Sequence, residues 1–298
     1  MKNLAVCVAG IAGAMFAFAS SARSETLVER GNYLVNTIMA CGNCHTPKGP
    51  DGLPVAAKEL SGRGVVFETP GFTVAGANIT PDRETGIGTW SDDDIKLALT
   101  EGIRPAHAKL PGVKLAAVMP IAQYRALTAN DLMAVVAYLR TIPAIRNEVQ
   151  SPIYKVDPMY PPYPEADKPY TEEALRDDVT RGRYLATIGH CMTCHTTMVR
   201  GVVDYAISFG KDGRFFGPAT DKGFPDSWTG STAKNITSDK DAGIGAWSDA
   251  EIKRAITDGI SRDGHTLSFP MGFFWYQRMA DRDVDAIVAW LRTLPPLK

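Results

Sequence analysis

The chain has almost no cysteine to spare. Four of its five cysteines sit in two Cys-x-x-Cys-His pentapeptides, and the fifth, Cys7, lies in an apolar N-terminal stretch. No thiol is left over for a structural disulfide. Charge of one sign is also missing: 32 Lys and Arg face 33 Asp and Glu, for a net charge of -1. Without a basic stripe or polylysine run, no nucleic-acid partner is expected. No long apolar segment follows residue 25, so no transmembrane anchor is expected after the N-terminal stretch is removed. Extended runs of alternating polar and apolar residues are lacking as well, so no long strand is expected.

The N-terminal stretch has the parts of a secretory signal. Lys2 supplies positive charge, Leu4 to Ala19 is apolar and alanine-rich, and small residues follow from Ala19 to Ala22. The alternative, a membrane anchor, is opposed by the shortness of the run. Residues 1–23 are therefore expected to be a signal peptide and the mature protein to be periplasmic.

What is present is concentrated in Cys41-Gly42-Asn43-Cys44-His45 and Cys191-Met192-Thr193-Cys194-His195. Each reads as a c-type haem attachment site. The two thiols would hold the ring covalently, and the adjacent histidine would ligate its iron. Two other readings exist. Zinc ribbons bring their cysteine pairs much closer than these, which lie about 150 residues apart. A thioredoxin-like pair needs no histidine directly after the second cysteine, yet both copies have one. Two covalently bound haem c groups are expected, on Cys41, Cys44, Cys191 and Cys194, with His45 and His195 on the irons.

The motifs belong to a longer repeat. Arg30-Gly31-Asn32-Tyr33-Leu34 returns as Arg181-Gly182-Arg183-Tyr184-Leu185. Asn78-Ile79-Thr80-Pro81-Asp82 and Gly86 to Asp92 return as Asn235-Ile236-Thr237-Ser238-Asp239 and Gly243 to Asp249. Tyr138-Leu139-Arg140 returns as Trp290-Leu291-Arg292. The order predicts a tandem duplication: domains over 24–150 and 171–298, joined by a linker at 151–170. Six prolines in that linker disfavour helix and central strand. It is either a strap that holds the two units in a fixed relation or a plain spacer.

Short helices are expected over 27–39 and 179–190, delivering the cysteines. Ser91 to Asp94 and Ser248 to Glu251 read as capping boxes. Thr128 should cap a helix to Thr141, and a last helix should run over about 281–293. The glycine-rich stretches 46–77 and 196–234 should be loops, with at most a short hairpin.

A sixth iron ligand must come from elsewhere in the chain. Met119 and Met271 follow His45 and His195 at nearly equal intervals, and each adjoins a proline, Pro120 or Pro270. Thioether sulfur is soft, favours ferrous iron and raises the potential. Met39 and Met192 lie too near the cysteines. Met133 and Met279, in or beside the last helix of each unit, are expected in the core, and Met159 in the linker. His107 and His265 are the rivals, with surface hydrogen bonding as their other role. His190, directly before Cys191, is expected to be exposed. Asn78, Trp90, Asn235 and Trp247 could donate to the haem edge, or serve as turn asparagines and core tryptophans. Arg104 and Arg262 could neutralise propionates.

At Asn-Ile-Thr-Pro-Asp, Gly-Ile-Gly-x-Trp-Ser-Asp, Met-Pro and the terminal Leu-Arg-x-x-Pro, the chain resembles bacterial multihaem cytochrome c subunits of periplasmic alcohol, gluconate, sorbitol and aldehyde dehydrogenases. The match covers most of both halves. It implies an all-α fold class, with two tandem class I cytochrome c domains and His/Met haems: Cys41, Cys44, His45 and Met119 for one, Cys191, Cys194, His195 and Met271 for the other. Many of those subunits carry three haems and a C-terminal anchoring helix, whereas this sequence has two attachment motifs and no apolar helix after the second. Ser238 replaces the proline of the first copy. The expected function is an electron relay, not an enzyme. It would run from a periplasmic dehydrogenase to a terminal acceptor: another cytochrome, an oxidase or the quinone pool. A dihaem peroxidase and a haem-based redox or ligand sensor are the alternatives.

Overall fold

The computed structural model describes residues 24–199 and 202–298. The expected signal segment lies outside the described residues. The order of elements follows the sequence repeat. Helix α1 (Leu27–Tyr33) starts on Thr26, whose hydroxyl accepts from the Glu29 N–H while the Glu29 carboxylate accepts from the Thr26 N–H. It runs into a π-helical turn, Leu34–Ile38, and then into the short α2 (Gly42–His45) of the first motif. Helix α3 (Asp92–Glu101) carries the expected capping box on Ser91 and ends at Gly102, which takes the left-handed φ of +69°. After the short α4 (Ile121–Tyr124), α5 (Ala129–Thr141) is capped by Thr128.

The second half repeats this order. Helix α6 (Asp178–Ile188) leads into α7 (Cys191–Cys194). Then come α8 (Asp249–Thr257), with the expected capping box on Ser248, α9 (Phe273–Tyr276) and α10 (Asp281–Thr293). The backbone before each motif also repeats. Ala40 and His190, each just ahead of the first cysteine, have left-handed φ values of 46° and 48°.

The all-α expectation needs correction. Helices dominate, but the glycine-rich segments form small antiparallel sheets. Strands β1 (Val66–Glu68) and β2 (Phe72–Ala75) pair in the first half. Strand β3 (Ile153–Tyr154) from the linker and β7 (Asp221–Lys222) from the second half flank them, in the order β3-β2-β1-β7. The pairs β4 (Met198–Val199) with β5 (Val202–Val203), and β6 (Phe215–Phe216) with β8 (Ser231–Thr232), are separate. These strands are two to four residues long, too short to show as alternation in a sequence.

The linker is largely exposed but touches both halves at several points. Ile153 and Tyr154 add an edge to the sheet, where prolines further on cost no ladder bond. The Tyr160 hydroxyl donates to the Leu115 carbonyl at 2.7 Å, and Tyr163 is buried against Tyr205 and Phe209 of the second half. Of the two readings of this segment, strap and spacer, the contacts are those of a strap.

One helix pair carries each half: α1 on α5 in the first, and α6 on α10 in the second. Glycine permits both. A Cβ on Gly31 would stand 1.9 Å from the Ala134 carbonyl oxygen, and one on Gly182 would stand 1.8 Å from that of Ala286. The helix backbones therefore touch where the repeated Arg-Gly-x-Tyr-Leu places its glycine.

The arginine and tyrosine of that block meet two buried carboxylates. Arg30 donates to Asp131, from Nε at 2.7 Å and Nη2 at 2.9 Å, within its own half. The Asp131 carboxylate also accepts from the Tyr184 hydroxyl of the second half at 2.5 Å. The mirror arrangement holds Asp283: Arg181 Nε donates at 2.6 Å from its own half and the Tyr33 hydroxyl at 2.7 Å from the first. Each tyrosine hydroxyl also accepts from the residue opening the helix it reaches, Thr128 N–H at 3.5 Å and Ala280 N–H at 3.1 Å. Burial first, and then the carboxylates, push both tyrosine pKa values up, so both stay donors.

Replacing Gly182 with alanine should force α6 and α10 apart. Urea unfolding of the haem-loaded protein should show a loss of about 1–3 kcal/mol. Unchanged stability would contradict the close approach of these backbones.

Candidate functional site

Each motif histidine is fixed by a backbone carbonyl. His45 Nδ1 donates to the Ala77 carbonyl at 2.7 Å, and His195 Nδ1 donates to the Lys234 carbonyl at 2.7 Å. The carbonyl can only accept, so Nδ1 carries the proton and Nε2 keeps its lone pair. Burial lowers both histidine pKa values, which favours the neutral ring a metal needs. A carbonyl on the remote ring nitrogen is the usual means of orienting a ligating histidine. The two carbonyls hold matching places, one residue before Asn78 and Asn235 of the repeat.

The cysteines are free thiols in a half-buried setting. Burial, with the neighbouring sulfur second, pushes Cys41 and Cys191 up to about 12; burial pushes Cys194 up to about 11. A thiol–disulfide exchange pair needs the opposite shift. Among the described residues no three His, Cys, Asp or Glu side chains converge as a zinc site requires. The donor set fits covalent haem with a histidine ligand: paired thiols, then a neutral imidazole with Nε2 open. Tyr124 and Tyr276, both buried, lie close enough to the thiols of their own motifs to be affected by their charge.

Met119 and Met271 are half-buried and packed against the core, each shortly before the short helix α4 or α9. The other methionines differ. Met39 and Met192 are fully buried beside the motifs, Met279 is buried, and Met159 in the linker is exposed. Met133 corrects the expectation of core packing, since it is 43% exposed on α5. Met198 lies in β4 just after the second motif.

The rival histidines stand at the surface. His107 Nε2 meets the Thr89 carbonyl at 3.1 Å, and His265 Nε2 lies 3.2 Å from Asp263. His190 is half-buried rather than exposed.

The asparagines of the repeat are occupied. Asn78 Nδ2 donates to Thr85 Oγ1 and to the Ile145 carbonyl, while its Oδ1 accepts from the N–H and hydroxyl of Thr80. Asn235 bonds the same way to Leu297 and Thr237. Both therefore brace the loop that supplies the histidine's carbonyl, and Asn78 has no donor left for a haem edge. Trp90 and Trp247 are half-buried against the core, and no hydrogen bond engages either indole N–H among the described residues. Arg104 clamps the carbonyls of Val113 and Lys114, and Arg262 lies at the surface near Glu251.

The repeat hid further roles. Arg140 reaches Asp92 and the Trp90 carbonyl, and Arg292 reaches Asp249 and the Trp247 carbonyl. Each terminal arginine thus ties its last helix to the tryptophan loop and the helix start beyond. Lys48 is different, because the second half has no copy of it. Its Nζ donates to the Asn43 carbonyl at 2.6 Å and the Gly64 carbonyl at 2.8 Å, below the Phe224 ring.

Residues 179–295 match the cytochrome c family model. The gluconate 2-dehydrogenase cytochrome c subunit of Pantoea cypripedii is 30% identical over 99% of this chain and 65% of its own length. The fructose dehydrogenase cytochrome subunit of Gluconobacter japonicus is 30% identical over 90% of this chain and 52% of its own. The cytochrome c subunit of the quinone-dependent alcohol dehydrogenase of Gluconobacter oxydans is 28% identical over 91% and 55%. The chain spans about half to two thirds of the length of these curated relatives.

Burial pulls the Lys48 pKa from 10.5 down to about 8. Between these values the folded chain binds fewer protons than the unfolded one, so this lysine makes stability rise with pH there. Urea unfolding at pH 7.5 and 9.5 should show the parent gaining on a Lys48→Met variant at the higher pH. Parallel curves would contradict the burial of the charge.

Proposed function

We propose, taking as premise a cytochrome c domain in the second half and homology to dehydrogenase cytochrome subunits over nearly the whole chain, that this protein is a periplasmic dihaem electron relay. It would act as an electron-transfer subunit or partner, not as a catalytic subunit. Residues 24–150 and 171–298 are the two haem-bearing units, joined by the strap 151–170. The observation that carries this reading is duplicated geometry. Two histidines, each directly after a Cys-x-x-Cys, present a neutral imidazole whose remote nitrogen is held by a carbonyl at 2.7 Å.

The residues divide the work. Cys41 and Cys44, and Cys191 and Cys194, hold a haem at each site. His45 and His195 would ligate its iron through Nε2, with Met119 and Met271 as the second protein ligands. Haem c would supply one-electron chemistry at each site. The Asn78 and Asn235 loops keep the imidazoles oriented, and Trp90 and Trp247 offer free indole donors to the propionate edge. With methionine as the second protein ligand, neither site would keep an open position for a substrate. The donor is a periplasmic dehydrogenase and the acceptor another cytochrome, an oxidase or the quinone pool; for the donor, the relatives' names likewise join a cytochrome subunit to a dehydrogenase.

Two outcomes test this. Purified holoprotein should carry two covalent haems per chain, and Cys191→Ala with Cys194→Ala should leave one. A ratio of one in the parent would reject the duplication. Met119→Ala and Met271→Ala should each remove one iron–sulfur charge-transfer band and lower one potential. Fast peroxide turnover by the reduced protein would favour the peroxidase reading instead.

A further inference from the structure

The contacts around the two motifs are crossed. In the first motif, the Asn43 amide donates at 2.9 Å to the carbonyl of Pro270, the residue before Met271. Beside it, Gly42 faces the α9 side chain of Trp275, and a Cβ there would lie 2.8 Å from the indole nitrogen. Helix α9 follows Met271 closely and packs on the π-helical turn that delivers the first cysteines. The second motif repeats the scheme with different residues. The Gln123 amide, on the α4 helix that follows Met119, donates at 2.8 Å to Thr193 Oγ1 and at 2.9 Å to the Tyr205 hydroxyl. Helix α4 packs on α6, which delivers the second cysteines. Gln123 and Tyr205 are both buried.

We infer that each Cys-x-x-Cys loop, besides attaching its own haem, pins the methionine loop of the other half. This rests on the assignment of Met119 and Met271 as distal ligands. Methionine is a weak ligand, and a loop that carries one must be held against thermal opening. The residues between the cysteines cannot move far, because both neighbours would be covalently tied. They offer the opposite loop a covalently tethered anchor. Asn43 and Thr193 are therefore positioning residues for the distant site, acting through Pro270 and Gln123. The two haem sites are then coupled: loosening one attachment loop loosens the methionine at the other iron.

The test separates the two sites by spectrum. In a Met119→Ala background the remaining iron–sulfur band belongs to Met271, and in a Met271→Ala background to Met119. Imidazole, titrated into oxidised holoprotein, displaces the remaining methionine and reports how firmly it is held. Adding Asn43→Leu to the Met119→Ala background should tighten imidazole binding at the second haem about fivefold, the loss of one net hydrogen bond of about 1 kcal/mol. Adding Thr193→Val with Tyr205→Phe to the Met271→Ala background should do the same at the first haem. Asn43→Leu should shift the Met119 band and its imidazole affinity less than about twofold, below the effect of one net hydrogen bond. Unchanged affinities in both crossed combinations, or shifts confined to the haem that bears the altered loop, would overturn the pinning. If the single methionine variants remove no band, the ligand assignment itself fails, and that is read before any crossed variant is made.

Discussion

Two buried carboxylates, Asp131 and Asp283, hold this molecule in one arrangement. Each takes an arginine from its own half and a tyrosine from the other. A buried carboxylate without both partners would carry a desolvation cost of several kcal/mol. Docking the halves satisfies that requirement, so the brackets act as a register as well as an attraction. Apolar burial supplies the bulk of the binding energy, with one contiguous cluster of buried side chains drawn from both halves. It is non-directional, and the two tyrosine–aspartate bonds choose among the ways the apolar faces could meet.

Everything near the motifs follows from that register. Once α1 and α6 are fixed, the π-helical turn and the end of α6 bring Cys41 and Cys191 to the interface. Helices α4 and α9, each behind a methionine, then fall on the opposite half. The strap adds a third tie, with Tyr160 bonded to the first half and Tyr163 against the aromatic cluster of the second. Sharing one sheet between β1, β2, the strap and β7 adds a fourth. The proposed relay would need its two centres at a constant separation, and ties of this kind would keep it.

Much of this was legible from the residues alone. Capping boxes on Ser91 and Ser248, the last helices and the position of the strap follow from local rules of capping and proline sterics, and those rules act within a few residues. Beyond the short hairpin allowed in the glycine-rich stretches, the short strands were not legible, because pairings of two to four residues arise from what lies beside them and leave no pattern of their own. Long-range roles were hidden for the same reason. Arg-Gly-x-Tyr-Leu was visible as a repeat, but nothing in the sequence says that its arginine turns inward and its tyrosine crosses over. Asn78 and Asn235 were read as haem-edge candidates or turn residues; hydrogen bonding holds both in the loop and uses every amide donor of Asn78. Met133 was misplaced because periodicity locates a helix more reliably than it decides which face the rest of the fold covers.

The central claim is that one chain holds two one-electron centres in fixed contact. Pulse radiolysis of the holoprotein, reducing less than one equivalent per chain, tests it most directly. The account predicts rapid redistribution between two spectrally distinct haems at a rate independent of protein concentration. A redistribution rate that rises in proportion to concentration would show that electrons pass only between molecules, and would contradict it.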